Sequence, residues 1–272
     1  MKPINQQTVL ITGATDGIGK LTALKLSMLG ARVIVHGRNR EKVEKVVREL
    51  LPGTPNQNIE GITADLSSLD EVRRMAREVM AKHDSIDVLI NNAGVGYSDP
   101  RFSKDRYELR FAVNYLAPFL LTNLLLPALR KAAPSRVVNV SSAGQSPINF
   151  EDIMLERNFD SRRAYNQSKL ALIMFTIDLA EQLKKDNITV NSLHPGTYLD
   201  TNMVRHAGIQ PWGKAETGAD AEVFLATSPK LEKISGRYFN VMKETSALDE
   251  AYDAAARKKL RDIGSQLTGL DQ

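Results

Sequence analysis

Short apolar runs rich in β-branched residues recur along this chain, each followed by a stretch with helical periodicity. TVLITG (8–13), ARVIVHG (31–37), NIEGITADL (58–66), SIDVLINNAG (85–94), SRVVNVSS (135–142), ITVNSLHPG (188–196) and GRYFNV (236–241) are the runs. They are nearly continuous in apolar residues instead of alternating with polar ones. That pattern belongs to strands buried on both faces, as in a parallel sheet covered by helices. The intervening segments read as helices. In NREKVEKVVRELL (39–51), Val43, Val46, Val47 and Leu50 share one face, and charges fill the other. In SSLDEVRRMAREVMAKH (67–83), Ser67 or Ser68 can cap the helix. A long helical region is expected from about Asp105 to Ala132. Strand–helix alternation with right-handed crossovers predicts an α/β fold. It is a single Rossmann-like, doubly wound parallel sheet of about seven strands with helices on both faces. No repeat, low-complexity linker or composition shift marks a second unit, so residues 1–272 are expected to form one domain.

Composition narrows the function. The net charge is +4, with Lys and Arg spread along the chain and no dense basic tract, which argues against nucleic acid. There is no cysteine, so disulfides, thiolate metal sites and a cysteine nucleophile are excluded. The first strand begins almost at once, leaving no room for a signal peptide or membrane anchor. The apolar run FLLTNLLLPALRKA (119–132) is short and interrupted by Pro127. A soluble, cytoplasmic protein is the expectation.

GATDGIG (13–19) lies between the first strand and the first helix. Small residues there let the backbone approach a phosphate, and a helix N-terminus offers free N–H groups and a positive dipole end. A bare tight turn would need the same glycines, so the loop alone decides nothing. Tyr165 and Lys169 are four residues apart and share one helix face. An ammonium beside a phenol favours the phenolate and lowers its pKa. Such a pair can therefore serve as an acid–base device.

The glycine loop, NNAG (91–94) after the fourth strand, VNVSS ending the fifth, Tyr165-Asn166-Gln167-Ser168-Lys169, and HPG ending the sixth occur in this order. Together they resemble the short-chain dehydrogenase/reductase family, essentially over the whole chain from Thr8 to LTGL (267–270). The resemblance implies hydride transfer between a nicotinamide cofactor and a carbonyl or alcohol, with the cofactor supplying the hydride. It assigns Tyr165 as proton donor in reduction and base in oxidation. Lys169 would bind the nicotinamide ribose and tune Tyr165. Ser142 would hydrogen-bond the substrate oxygen, and Asn114 would hold a water linking Lys169 to solvent. Ser141 competes with Ser142, since strand alternation points them to opposite faces.

The same resemblance assigns cofactor contacts to the loop residues Gly13, Thr15, Asp16, Gly17, Ile18 and Gly19. Beyond the loop it adds Asn39, Asp65, Leu66, Asn91, Ala93, Gly94, Pro195, Gly196, Thr197 and Thr201, besides Tyr165 and Lys169. For Asp65 and Thr201, turn or helix-capping roles stand as alternatives. In the family an acidic residue at the end of the second strand selects NAD(H). Here Gly37 stands there, followed by Arg38, whose guanidinium suits a phosphate. NADP(H) is therefore expected over NAD(H), with Arg40 as a helper to Arg38. A solvated turn arginine is the alternative, and Asp16 is a mild counter-sign.

The 23 positions from Ser142 to Tyr165 exceed the spacing in the family's simplest members. The insert, about 144–163, resembles that of the retinol dehydrogenase-like branch, as do NYLAPFLLTNLLLP and SLHPGT. The region about 197–218 is the substrate-loop candidate. Its Met203, Ile209 and Trp212 either contact an apolar substrate or seal a lid helix on the sheet. No metal site is expected. A homodimer through helices flanking the fifth strand is open, because the insert lies beside that surface. A non-catalytic NADP(H)-binding regulator is the alternative function.

Overall fold

The computed structural model describes residues 1–55, 57–97 and 102–270. The strands are β1 (Thr8–Ile11), β2 (Arg32–Gly37), β3 (Ile59–Thr63), β4 (Val88–Asn91), β5 (Ser135–Val140), β6 (Ile188–His194), β7 (Tyr238–Asn240) and β8 (Lys243–Thr245). They form one sheet in the order β3-β2-β1-β4-β5-β6-β7-β8. The first seven run parallel, and β8 returns antiparallel to β7. Seven strands were expected. The eighth is three exposed residues, Lys243, Glu244 and Thr245, with no apolar pattern to announce it. The chain builds outward from β1 to β3, then crosses back to β4 on the other side of β1. In such sheets, ligands bind beyond the strand ends at this reversal.

The helices are α1 (Gly17–Met28), α2 (Arg40–Leu50), α3 (Leu69–Lys82), α4 (Leu109–Phe111), α5 (Ala117–Ala132), α6 (Ser161–Gln182), α7 (Asn202–His206), α8 (Ala215–Thr227) and α9 (Ala254–Thr268). Val9, Ile11, Val33, Val35, Ile90, Val138 and Leu193 face one side of the sheet, against Leu26 of α1, Val46 of α2 and Leu225 of α8. Leu10, Ile34, Leu89, Val137 and Val190 face the other, against Met75 of α3, Leu120 of α5 and Ile173 of α6. Successive strand residues alternate between two apolar faces, which is why the runs read as continuous.

Two local expectations are corrected. Neither Ser67 nor Ser68 caps α3 through its side chain. Ser68 occupies the cap position without a side-chain bond, and Asp105 Oδ2 accepts from Leu69 N at 2.7 Å instead. A residue 36 positions away does the capping, which no local pattern reveals. Pro127 does not interrupt its helix, because α5 continues through it to Ala132. Residues Leu109–Ala132 form a continuous helical stretch that is long and apolar enough to cross a membrane by length and composition alone. Of its most apolar window, 78% is buried inside the fold. Its apolarity therefore has a place in the core, with Phe111, Leu116, Leu120 and Leu129 packed there.

Between α4 and α5, Ala112–Leu116 form a wide π turn centred on Asn114. The segment about 144–163 is tied down despite its polar sequence. Ile148 N donates to Glu250 Oε2 and Asn149 N to Gln167 Oε1, both at 2.8 Å, while Gln167 Nε2 donates to Ile153 O at 2.8 Å. Ile148 and Leu155 are buried beneath it.

Candidate active site

The glycine loop leaves β1 and enters α1. Gly13 and Gly17 have φ of +66° and +51°, the left-handed region that side chains disfavour. A Cβ on Gly13 would lie 2.7 Å from Ala93 Cα, and one on Gly19 2.5 Å from Gly13 O. No side chain fits between the loop and the segment after β4. Asp16 caps α1 by accepting from Gly17 N at 2.8 Å. Its other oxygen accepts from Asn202 Nδ2 at 2.5 Å, tying the loop to α7. Thr15 and Ile18 flank the loop, half-buried.

Behind the loop, the buried imidazole of His36 accepts from Gly13 N at 3.2 Å through Nδ1 and lies 3.0 Å from Ala64 O through Nε2. That pattern requires the proton on Nε2. Burial, partly offset by the bond to Ala64, drops its pKa to about 4 and keeps it neutral.

At the end of β2, a Cβ on Gly37 would lie 3.1 Å from Thr15 Oγ1 and 3.0 Å from Val43 Cγ2, so an acidic side chain has no room there. Arg38 is exposed, and its guanidinium has no hydrogen-bond or ion-pair partner among the described residues. Asn39 caps α2, its Oδ1 accepting from Lys42 N at 2.9 Å. Arg40, which is exposed, donates to Glu44 at 2.8 Å, a weak surface pair one turn along α2. Asp65 accepts from Ser67 N at 3.0 Å and pairs with Lys104 at 3.2 Å. Burial pushes its carboxyl up, but these bonds outweigh it and hold the pKa below the usual carboxylate range. The Leu66 side chain belongs to the core, so only its backbone can face a ligand.

After β4 the two asparagines divide the work. Asn91 is buried and donates to Thr122 Oγ1 at 3.0 Å and Asn139 Oδ1 at 2.8 Å. Its side chain thus knits strands and helix instead of lining a ligand site. Asn92, which sequence reasoning passed over, donates to Thr12 O at 2.7 Å and Gly13 O at 3.0 Å and fixes the glycine loop. Ala93 N donates to Thr12 Oγ1 at 3.0 Å. A Cβ on Gly94 would sit 3.2 Å from Asn114 Oδ1 and 3.4 Å from Lys169 Nζ, so the glycine opens the way between them.

Ser142, Tyr165, Lys169 and Asn114 come together at the ends of β4 and β5. The Ser142 hydroxyl stands near that of Tyr165 and favours its ionised form, and its Oγ accepts from Gly144 N at 3.1 Å. Ser141 instead donates to Lys169 O at 2.7 Å, pinning α6. Lys169 Nζ donates to Val140 O at 2.8 Å and lies 5.7 Å from the Tyr165 ring centre. Asn114 Oδ1 accepts from Val95 N at 2.9 Å, while its Nδ2 donates to Val95 O at 3.1 Å and Ser168 Oγ at 2.9 Å. The π turn presents this amide to the site, as such turns often do.

The electrostatics differ from the pairwise expectation. Burial drops Lys169 to about 8. Burial also pushes Tyr165 up to about 12, opposed by the Ser142 hydroxyl and reinforced by Tyr97 and Tyr198. Desolvation thus outweighs any lowering of the phenol by the nearby ammonium.

A cavity of about 230 Å³ opens beside Tyr165 and Ser142. Pro195 and Gly196 form one wall, with Gly196 at φ +131°. Thr197 Oγ1 lies 3.1 Å from His194 Nε2, and Thr201 caps α7 by accepting from Val204 N at 3.4 Å. Of the apolar loop residues, Met203 and Ile209 line the cavity. Trp212 is 73% exposed and packs edge-on against Tyr198, centroids 4.8 Å apart.

The residues present fit a dinucleotide. The loop is closed to side chains, α1 presents its first-turn amides, Arg38 is a free guanidinium, and Lys169 and Tyr165 stand beyond Gly94. Sequence reasoning missed His36, Asn92 and Asn202. Only Asn92 carried a signal, its adjacency to a glycine turn.

A family model described as short chain dehydrogenase matches residues 7–211. Retinol dehydrogenase 14 of Homo sapiens is 40% identical over 292 residues, covering 97% of this chain and 87% of that protein. The crystal structure of an uncharacterized protein from Mycobacterium Paratuberculosis superposes with a TM-score of 0.81 at 32% identity, covering 97% of this chain and 94% of the other. The Pseudomonas aeruginosa RhlG/NADP active-site complex superposes with a TM-score of 0.71 at 28% identity, covering 88% and 97%.

Proposed function

The chain belongs to the short-chain dehydrogenase family and is a nicotinamide-dependent oxidoreductase acting on alcohols or carbonyls; from that premise we propose an NADP(H)-preferring enzyme that uses Ser142, Tyr165, Lys169 and Asn114 on a compact substrate. The observation that carries this reading is that Ser142 and Tyr165 line one cavity beside the glycine loop, with Lys169 and Asn114 buried next to them against Gly94.

The nicotinamide, when bound, supplies or accepts the hydride. Gly13, Gly17 and Gly19 would let the loop backbone approach a bound pyrophosphate, and the N-terminus of α1 would offer it amides. Arg38 offers a charged fork for a 2′-phosphate, and Gly37 leaves no carboxylate to repel it. Ser142 donates a hydrogen bond to the substrate oxygen and orients it toward Tyr165. The Tyr165 hydroxyl gives its proton to that oxygen during reduction and takes it back during oxidation. Lys169 places a positive charge beside the phenol as it ionises, offsetting the burial that disfavours phenolate. Asn114 holds the backbone of Val95 and the Ser168 hydroxyl, so the floor beneath Lys169 stays in place.

The test follows NADPH consumption with a panel of aldehydes and ketones, for the wild type and Tyr165→Phe. Loss of the phenol proton is expected to cut kcat by about 100- to 10,000-fold, with NADPH affinity retained. Turnover that persists in Tyr165→Phe would sink the mechanism.

A further inference from the structure

Three tyrosines face the cavity, and the chemistry above uses one of them. Tyr97 lies in the loop after β4. Its ring packs edge-on against Tyr165, with centroids 4.9 Å apart and planes at 61°. The Arg162 guanidinium stands 6.0 Å from the Tyr97 ring centre. Tyr198 follows Gly196 and Thr197 with φ of +46°, a left-handed conformation unfavourable for a residue carrying a side chain. Surrounding contacts hold it there: its ring seats against Trp212, and Trp212 N donates to its carbonyl at 2.8 Å. Tyr198 is one of the residues of the cavity wall.

Both extra phenols are half-buried, and neither hydroxyl has a hydrogen-bond partner among the described residues. Burial raises Tyr97, and the nearby Tyr198 raises it further. Tyr97 and Tyr198 line the same cavity as Tyr165, and the Tyr97 ring touches that of Tyr165. Around them the wall is mostly apolar, with Ile18, Leu199, Met203, Val204 and Ile209. A polar group facing such a wall is costly to leave unpaired once water is expelled.

We propose that Tyr97 and Tyr198 determine specificity by binding a second oxygen of the substrate. The pocket then selects compact, mostly apolar carbonyl compounds that carry another carbonyl or hydroxyl a few atoms from the reacting one. The part of the cavity beside Ile18, Pro195, Gly196 and Thr201 belongs to the cofactor, so the share of the 230 Å³ left beside Tyr97, Tyr198, Met203 and Ile209 admits only a compact substrate. Discrimination runs in one direction. A substrate with the second oxygen satisfies a phenol, whereas one without it strands the phenol in a dry site. The inference rests on the carbonyl–alcohol chemistry proposed above.

The experiment compares cyclohexanone with cyclohexanedione under saturating NADPH. The readout is the ratio of the two kcat/KM values in the wild type, Tyr97→Phe and Tyr198→Phe. Phenylalanine keeps the ring and its packing, and melting temperatures verify that the variants fold. The diketone preference is expected to fall about three- to tenfold in one or both variants, the worth of one hydrogen bond. An unchanged ratio in both variants overturns the proposal.

A calorimetric titration reads the pocket without turnover. In NADPH-saturated Tyr165→Phe enzyme, the diketone is expected to bind more tightly than the monoketone, and adding whichever of Tyr97→Phe and Tyr198→Phe lowered the kinetic ratio narrows the difference. Equal affinities before that addition overturn the specificity assignment on their own. Monoketone turnover surviving in Tyr165→Phe refutes the catalytic reading instead, so the two failures are distinguishable.

Discussion

Glu222 is completely buried between α8 and α1. Its Oε2 accepts from Thr22 Oγ1 at 2.8 Å, and Oε1 has no partner among the described residues. Burial raises its pKa from 4.5 to about 8, against a pull from the Thr22 bond and from Lys169. An acid whose folded pKa is raised leaves stability intact below pH 4.5 and erodes it as pH climbs toward 8. Each tenfold change in proton affinity is worth about 1.4 kcal/mol, so ionisation of the unfolded chain costs the fold about 3 kcal/mol of stability at pH 7 and about 5 kcal/mol above pH 8. Glu222→Gln keeps the shape and an oxygen for Thr22 but cannot ionise. Unfolding entropy of roughly 2 cal/mol/K per residue gives this chain about 0.6 kcal/mol per degree. Relative to the wild type, the variant should therefore melt about 5 °C higher at pH 7 and about 8 °C higher at pH 9. Near pH 4.5 the gap should close. Calorimetric scans from pH 4.5 to 9 measure it directly. Melting curves that stay parallel across that range would refute the reasoning, because only titration of this carboxyl makes the gap widen.

Two further outcomes follow from the site. Arg38→Ala should weaken NADPH binding about 10- to 100-fold relative to NADH, the worth of a charge-assisted contact to a phosphate; fluorescence titration of both cofactors checks it, and an unchanged ratio removes Arg38 from cofactor selection. Asn114→Ala strands the Val95 backbone and should cost about 2–3 kcal/mol of stability, read from the urea midpoint, together with a loss of kcat. A full-strength kcat in a destabilised variant would make Asn114 structural only.

The parallel sheet was legible because its signal is repeated and local: runs such as Arg32–Gly37 announce strands buried on both faces. Ser142 could be favoured over Ser141 once strand alternation was combined with the family motif, and the structure supplies the partner of each. What stayed hidden depends on contacts distant in sequence. Asp105 capping α3 and Asn202 reaching Asp16 leave no trace in any window of neighbouring residues. The pKa of Tyr165 escaped for another reason. Spacing reveals the neighbouring ammonium but says nothing about burial, and burial dominates.

The π turn at Ala112–Leu116 has a consequence for the rhythm of its helix. A wide turn takes one residue more than an α-helical turn, so everything beyond it is rotated by about 100° from the phase set before it. Asn114 can thereby look toward Gly94 and Lys169 while Leu120, Leu121 and Leu125 keep the core. The stretch carries two reading frames, one for chemistry and one for packing. A deletion of one residue in Ala112–Leu116 would merge the frames: either the amide leaves the site or the leucines leave the core.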